Sequence, residues 1–341
     1  MQLPLFKLAV FSLIGGGLAG LAARPWVIRE SFFMGTTLAI SVSSESRRAS
    51  LQALDSAFAQ VRRIDDVLND WRKDTDLARL NDAPPGEWAT VGPALAAVLA
   101  EVAEWTRSTG GTFDPGIGAL VDAWDLRGRG RIPTDQSLDS ARASTGLLRF
   151  ALSAVKPDGS AVLRRPSLAS WIDAGGFGKG AALRAAQEQL ESAGVRGAIL
   201  NFGGQVVALG DTTLMVDVAN PNDRFVPVAR LRLRNASAST TGQSERFVEV
   251  DGRRFGHVID PRTGIPAPAW GSVTVVHPDP MVADILSTAL FVMGPREGAH
   301  WADEHGFAAL FLLALGDSVE TLPTSTIRPL LVSHPPVFKG F

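Results

Sequence analysis

The run Trp171-Ile172-Asp173-Ala174-Gly175-Gly176-Phe177-Gly178-Lys179-Gly180 decides how this chain is read. An apolar lead-in ends in a carboxylate, and four glycines follow with one lysine among them. Glycines at that density let the backbone take positive φ and approach a ligand closely. Beyond Lys179, the residues Ala181, Leu183, Ala186, Leu190 and Ala193 fall at helical spacing. The loop therefore leads into a helix N-terminus, whose free N–H groups and dipole favour an anion, and Lys179 adds a movable positive charge. A phosphate-bearing ligand suits that arrangement, yet neither familiar phosphate loop fits it. A P-loop carries glycine where Asp173 stands and Ser or Thr where Gly180 stands. A Rossmann fingerprint needs an acidic residue about twenty positions on, and Glu191 near that distance lies inside the expected helix. The plain alternative is a strand-to-helix turn that holds no ligand.

Outward from the loop, helical spacing recurs over 51–68 (Leu51, Leu54, Phe58, Val61, Ile64, Leu68), 94–109 and 282–293. Weak alternation over 31–43 reads as one strand, and 125–160 reads as irregular and polar. From 197 onward short strands dominate, at 197–201, 205–209, 214–218, 230–234, 246–251 and 272–277, with a last buried strand at 307–313. Helices set apart from hairpin-like strands indicate an α+β fold and not a βαβ repeat.

The bulk composition removes several functions. A net charge of −2 gives no electrostatic case for nucleic acid. Arg127, Arg129 and Arg131 cluster, but without interleaved aromatics they read as a solvated loop. The chain has no cysteine, which rules out disulfides, thiolate metal sites, cysteine nucleophiles and a lipoprotein anchor. Tyrosine is absent as well, leaving eight tryptophans to supply large polar-tipped rings. Lys7 followed by the apolar run from Leu8 to Ala23 matches a secretory signal over residues 1–23, or an uncleaved anchor in the membrane.

Three further segments hold candidate chemistry. Asp284 and Thr288 stand one helical turn apart on the 282–293 helix, so both can present oxygen to a hard cation such as Mg²⁺. The alternative for Asp284 is a carboxylate complementing the helix dipole. His257 lies where a strand runs into the turn Asp260-Pro261-Arg262-Thr263-Gly264, as a candidate base, or within a turn whose Asp260 caps backbone N–H groups. Thr112-Phe113-Asp114-Pro115 and Asn201-Phe202-Gly203-Gly204 read as turns, and Met34 before Gly35 reads as core packing.

In this order, these segments resemble the ApbE family of FAD:protein FMN transferases. The matching blocks are Met34-Gly35-Thr36, the stretch from Trp71 to Asn81, Gly111 to Pro115, Asp173 to Gly180, Asn201 to Gly204, His257 to Pro266 and Ala283 to Leu290. The resemblance implies an α+β fold of mixed and antiparallel sheets with packed helices around an active-site cleft, in one domain over 30–335. It implies Mg²⁺-dependent cleavage of the FAD pyrophosphate, with FMN moved to a Thr or Ser hydroxyl of an acceptor protein and AMP released. It makes Asp284, Thr288, Ser287 and the Gly176 carbonyl metal ligands, and His257 the base for the acceptor hydroxyl. Met34, Trp71, Thr112, Phe113, Asp114, Asp173, Lys179 and Val258 become FAD contacts, with Lys179 near the phosphates. The implied partner is a membrane-associated or periplasmic redox protein, and the implied location is periplasmic or exported.

Two departures stand out. Trp71 replaces a common Tyr, which keeps the stacking surface and loses the phenol hydrogen bond. Thr241-Gly242-Gln243-Ser244 replaces a segment usually read as Ser-Gly-Asp-Tyr, which bears on substrate positioning and on the balance between transfer and hydrolysis. Two alternatives to transfer are thus an FAD pyrophosphatase giving FMN and AMP, and a flavin-binding protein without turnover.

Overall fold

The computed structural model describes residues 26–242 and 247–332. The expected leader over 1–23 lies outside the described residues, as do Gln243 and Ser244 and the end of the 30–335 domain.

One eight-stranded sheet organises the chain. Its strands are Val27–Phe33 (β1), Thr36–Ser43 (β2), Gly197–Phe202 (β3), Gln205–Gly210 (β4), Ala236–Gly242 (β5), Gly271–His277 (β6), Ala308–Leu315 (β7) and Ser318–Pro323 (β8). They lie side by side in chain order, and every neighbouring pair is antiparallel. Between β2 and β3 the chain inserts Arg47–Leu68 (α1), Asp76–Asp82 (α2), Pro93–Ser108 (α3), Gly118–Ala123 (α4), Asp135–Ser144 (α5) and Gly178–Ser192 (α6). Between β6 and β7 it inserts Pro280–Met293 (α7) and Pro295–Glu304 (α8).

The two faces of the sheet are covered differently. Leu38, Ile40, Val42, Leu200 and Val207 pack against Leu54 and Val61 of α1 and Leu183 and Leu190 of α6. On the other face Val206, Ala208, Leu310 and Leu312 pack against a small sheet formed by Leu214–Asn220, Asp223–Leu233 and Leu331–Val332. Central β4 is therefore buried on both sides, which accounts for its unbroken apolar run. A third core joins α2, α3 and the sheet 89–91, 161–164 and 151–155 to Ile172, Phe177, Met281, Ile285 and Ala289. The glycine loop thus lies where two cores meet, with Phe177 in one and Ala182 in the other.

Several elements differ from the sequence reading. The expected strand 31–43 is a hairpin whose turn is Met34-Gly35, with φ of 44° and 78°. Asn or Asp usually occupies the first place of such a turn, so a methionine there conceals it. The 125–160 region contains α5, capped by Thr134 Oγ1 accepting from Ser137 N at 3.2 Å, and the strand Ala151–Val155. Ala141 is the one buried residue of α5, so the helix has no apolar stripe to read. Strand β5 is built of Ala, Ser, Thr and Gly and has no hydrophobic alternation for a sequence to show.

Candidate active site

The glycine loop is shaped by packing more than by backbone freedom. Gly175, Gly176, Gly178 and Gly180 are absent from the positive-φ residues, contrary to the sequence expectation. Space is the reason for two of them. A methyl on Gly180 would lie 2.6 Å from the Pro280 carbonyl oxygen and 2.8 Å from Asp284 Cβ, so glycine lets α6 press against α7. A methyl on Gly175 would meet Asp173 Oδ1 at 2.7 Å, the oxygen that accepts from Gly175 N at 2.6 Å. Arg184 holds α6 in register by forking onto Glu101 of α3 at 2.6 and 2.7 Å and reaching Asp279 at 2.8 Å. Asp279 caps α7, accepting from Met281 N at 2.8 Å.

Helix α7 is buried almost all round, so its polar residues are conspicuous. Asp284 is 4% exposed. Its Oδ2 accepts from Gly180 N at 2.9 Å, in the first turn of α6. The anion at that helix N-terminus is therefore the protein's own carboxylate. Asp284 Oδ1 faces Lys179 Nζ at 3.5 Å and Ser239 Oγ at 3.4 Å. One turn on, Thr288 faces the loop, since a methyl on Gly176 would lie 3.4 Å from Thr288 Oγ1. The structure thus brings Gly176, Lys179, Asp284 and Thr288 together. Ser287 turns toward β5. Its hydroxyl donates to Asp284 O at 3.0 Å and meets Ser239 Oγ at 3.3 Å and Thr241 Oγ1 at 2.8 Å, on β5. Ser239, which the sequence does not single out, belongs to the surroundings of Asp284 as well.

These donors suit a hard cation. Among the described residues no cluster of three or more His, Cys, Asp or Glu could hold a metal, so one carboxylate would act with hydroxyl and carbonyl oxygens. Mg²⁺ accepts such a set because it keeps several waters and needs one or two carboxylates.

A second group gathers around Asp173. Arg127 Nη2 donates at 2.7 Å to Asp173 Oδ2 and at 2.7 Å to Asp70 Oδ2. Asp70 also accepts from Ala174 N at 3.2 Å. Burial lifts the Asp70 carboxyl above its ordinary range and the Asp173 charge adds to that, while Arg127 opposes both. The Arg127 guanidinium carbon is 4.4 Å from the ring centres of both Trp71 and Trp171. Arg127 is thus a half-buried member of the loop's support and not part of a solvated patch. Asn81 completes that support by accepting from Ile172 N at 2.8 Å and donating to Ile172 O at 2.9 Å.

The remaining residues vary in what they present. Met34 touches the loop, its Sδ 3.7 Å from where a methyl on Gly178 would be. Phe113 lies beside Gly176 and meets Phe177 edge-on. Thr112 is buried and its hydroxyl donates to Thr109 O at 3.0 Å. Asp114 Oδ1 accepts from Gly116 N and Leu147 N, both at 2.8 Å, which directs it to holding the backbone. Val258 is buried beside Val282 and Leu286, and His257 is exposed just before it. Asp260 does cap its turn, accepting from Arg262 N at 2.9 Å.

Residues 34–311 match the ApbE family. The chain belongs to that family. An FAD:protein FMN transferase of Rhodobacter capsulatus is 30% identical over 336 residues, 94% of this chain and 62% of that protein. The chain therefore spans less than two thirds of that relative's length. An FAD:protein FMN transferase of Escherichia coli is 27% identical over 90% of each chain. The apo crystal structure of the Pseudomonas stutzeri flavinyl transferase ApbE superposes with a TM-score of 0.79 at 25% identity, covering 90% of this chain and 97% of that one. The fold of that ApbE structure is thus the α+β arrangement described above.

Proposed function

We propose that the protein is an FAD:protein FMN transferase that uses Mg²⁺ to move FMN from FAD to a Thr or Ser hydroxyl of an acceptor redox protein, releasing AMP. The observation that carries this reading is the buried Asp284 carboxylate, held between Gly180 N and Lys179 Nζ with Thr288 one turn away at the glycine loop. Asp284, Thr288 and the Gly176 carbonyl would hold the cation, which when bound supplies charge neutralisation to the pyrophosphate. Ser287 would complete the set from the same turn; its hydroxyl, like that of Thr288, donates to Asp284 O, and it also meets Thr241 on β5.

The residues of the chain divide the remaining work. Lys179, partly exposed at the start of α6, takes phosphate oxygens. Asp173 and the exposed Trp71 ring hold the rest of FAD. His257 accepts the hydroxyl proton as the new O–P bond forms and the pyrophosphate P–O bond breaks, with AMP as leaving group. Its position on the surface, open to a large acceptor, supports that role.

The apolar run after Lys7 supports export to the periplasm, where the acceptor would be a membrane-associated or periplasmic redox protein. Among the described residues no helix is long and apolar enough to cross a membrane.

The test is incubation with FAD and Mg²⁺, with and without a periplasmic redox protein, followed by mass spectrometry. An FMN-sized addition to the acceptor, lost in Asp284→Ala, is expected. FMN and AMP without labelling would replace transfer by hydrolysis, and no product in either case would refute the enzyme reading.

A further inference from the structure

Arg127 does more than neutralise two carboxylates. Trp171, one of the two rings it touches, is fixed independently. Its Nε1 donates to Asp122 Oδ2 at 2.8 Å, and its ring lies so close over Gly118 that a methyl there would come 2.1 Å from Cδ2. Trp71 is different. It remains 68% exposed, on the loop just after Asp70, with the Arg127 guanidinium against its ring. The same guanidinium binds Asp173, whose other oxygen holds Gly175 N at 2.6 Å. One planar cation therefore ties a surface indole to the carboxylate that opens the glycine loop. Arginine can do this and lysine cannot, because its flat fork stacks on an aromatic face while donating in its own plane.

Resting on the FAD reading above, we infer that Arg127 is a positioning residue that holds Trp71 and Asp173 as one unit, leaving the exposed part of the indole as a platform for a flat heteroaromatic ring of FAD. Stacking on an aromatic side chain is tolerant of the ring's identity, so the platform supplies affinity and position more than selectivity. Its charge holds Asp173 and its plane holds Trp71, so exchanging the plane for a point charge should matter to FAD only while that indole is present.

The test is a double-mutant cycle on FAD affinity, read by quenching of flavin fluorescence in the full chain. Arg127→Ala strips the charge between Asp70 and Asp173 and risks unfolding the loop. Arg127→Lys keeps the charge and removes the plane, so it is the variant of choice, with circular dichroism to check folding. Arg127→Lys should weaken FAD about tenfold in the native background, the weight of one stacking contact. In a Trp71→Ala background the same change should have no further effect. Equal losses in both backgrounds, or no loss in either, would overturn the inference while leaving FAD binding intact. An Arg127→Lys chain that fails to fold would also overturn it, since charge alone should suffice for the fold. Failure of the native protein to bind FAD would instead remove the functional reading beneath it.

Discussion

Replacing Gly180 by alanine isolates the contact on which the candidate metal site depends. The added methyl would sit 2.6 Å from Pro280 O, 2.7 Å from Met281 Cα and 2.8 Å from Asp284 Cβ. Two of those atoms are backbone, so α6 must move away from α7. Overpacking of this kind costs about 1–3 kcal/mol. The movement also breaks the bond from Gly180 N to Asp284 Oδ2, and a hydrogen bond to a charged group contributes about 1.5–3 kcal/mol. Alanine returns about 1 kcal/mol of helix propensity. The net destabilisation is about 1.5–5 kcal/mol, or about 2–7 °C in Tm for a chain of this size. Gly178→Ala is the internal control. On the same helix its methyl would lie 3.4 Å from Ala174 Cβ and 3.7 Å from Met34 Sδ, which is ordinary contact, so it should leave stability unchanged or raise it by up to about 1 kcal/mol through the same helix propensity. Thermal melts and Mg²⁺ titrations of both variants separate the effects. Gly180→Ala should lose stability and metal-dependent turnover together, and Gly178→Ala should lose neither. A Gly180→Ala protein that melts with the native one would refute the claim that the helix contact positions Asp284.

Two other outcomes follow from the same geometry. Lys179→Ala should weaken FAD about 10–100-fold, since a charge-assisted bond to phosphate contributes about 1.5–3 kcal/mol, and equilibrium titration at fixed Mg²⁺ checks this. Asp114→Asn tests a buried carboxyl. Burial raises the Asp114 pKa, with the Leu147 and Gly116 N–H groups opposing. The folded state therefore binds the proton more tightly than the unfolded chain, and this residue's contribution to stability falls as pH rises through the raised pKa. Asparagine keeps an oxygen for both N–H groups and has no such dependence. The native protein should accordingly lose stability relative to Asp114→Asn as pH rises from the ordinary carboxylate range toward neutrality, as melts across that range would record. A constant difference would contradict the burial argument.

Much of the site was legible because its chemistry is local in sequence. Asp284 and Thr288 are one turn apart, and Lys179 is embedded among glycines, so residue type and spacing alone placed them on usable faces. Arg127 and Ser239 were not legible. Arg127 lies in a polar loop and gains its role from Asp70, Trp71, Trp171 and Asp173, which reach it from other segments. Ser239 lies on a strand of small hydroxyl residues that pattern cannot reveal, and the contacts of Ser287 with β5 are equally hidden, because a place on α7 does not say which way a hydroxyl turns.

The sequence by itself determined the α+β class, the helices with strong apolar stripes and the family, since each is written in periodicity or in motifs that survive without coordinates. Only the tertiary structure decided what the glycines are for. Their sequence signature is the same whether they free the backbone, admit a ligand or admit a helix. At Gly180 the third holds, because Pro280 and Asp284, about a hundred residues away, fill the space a side chain would need.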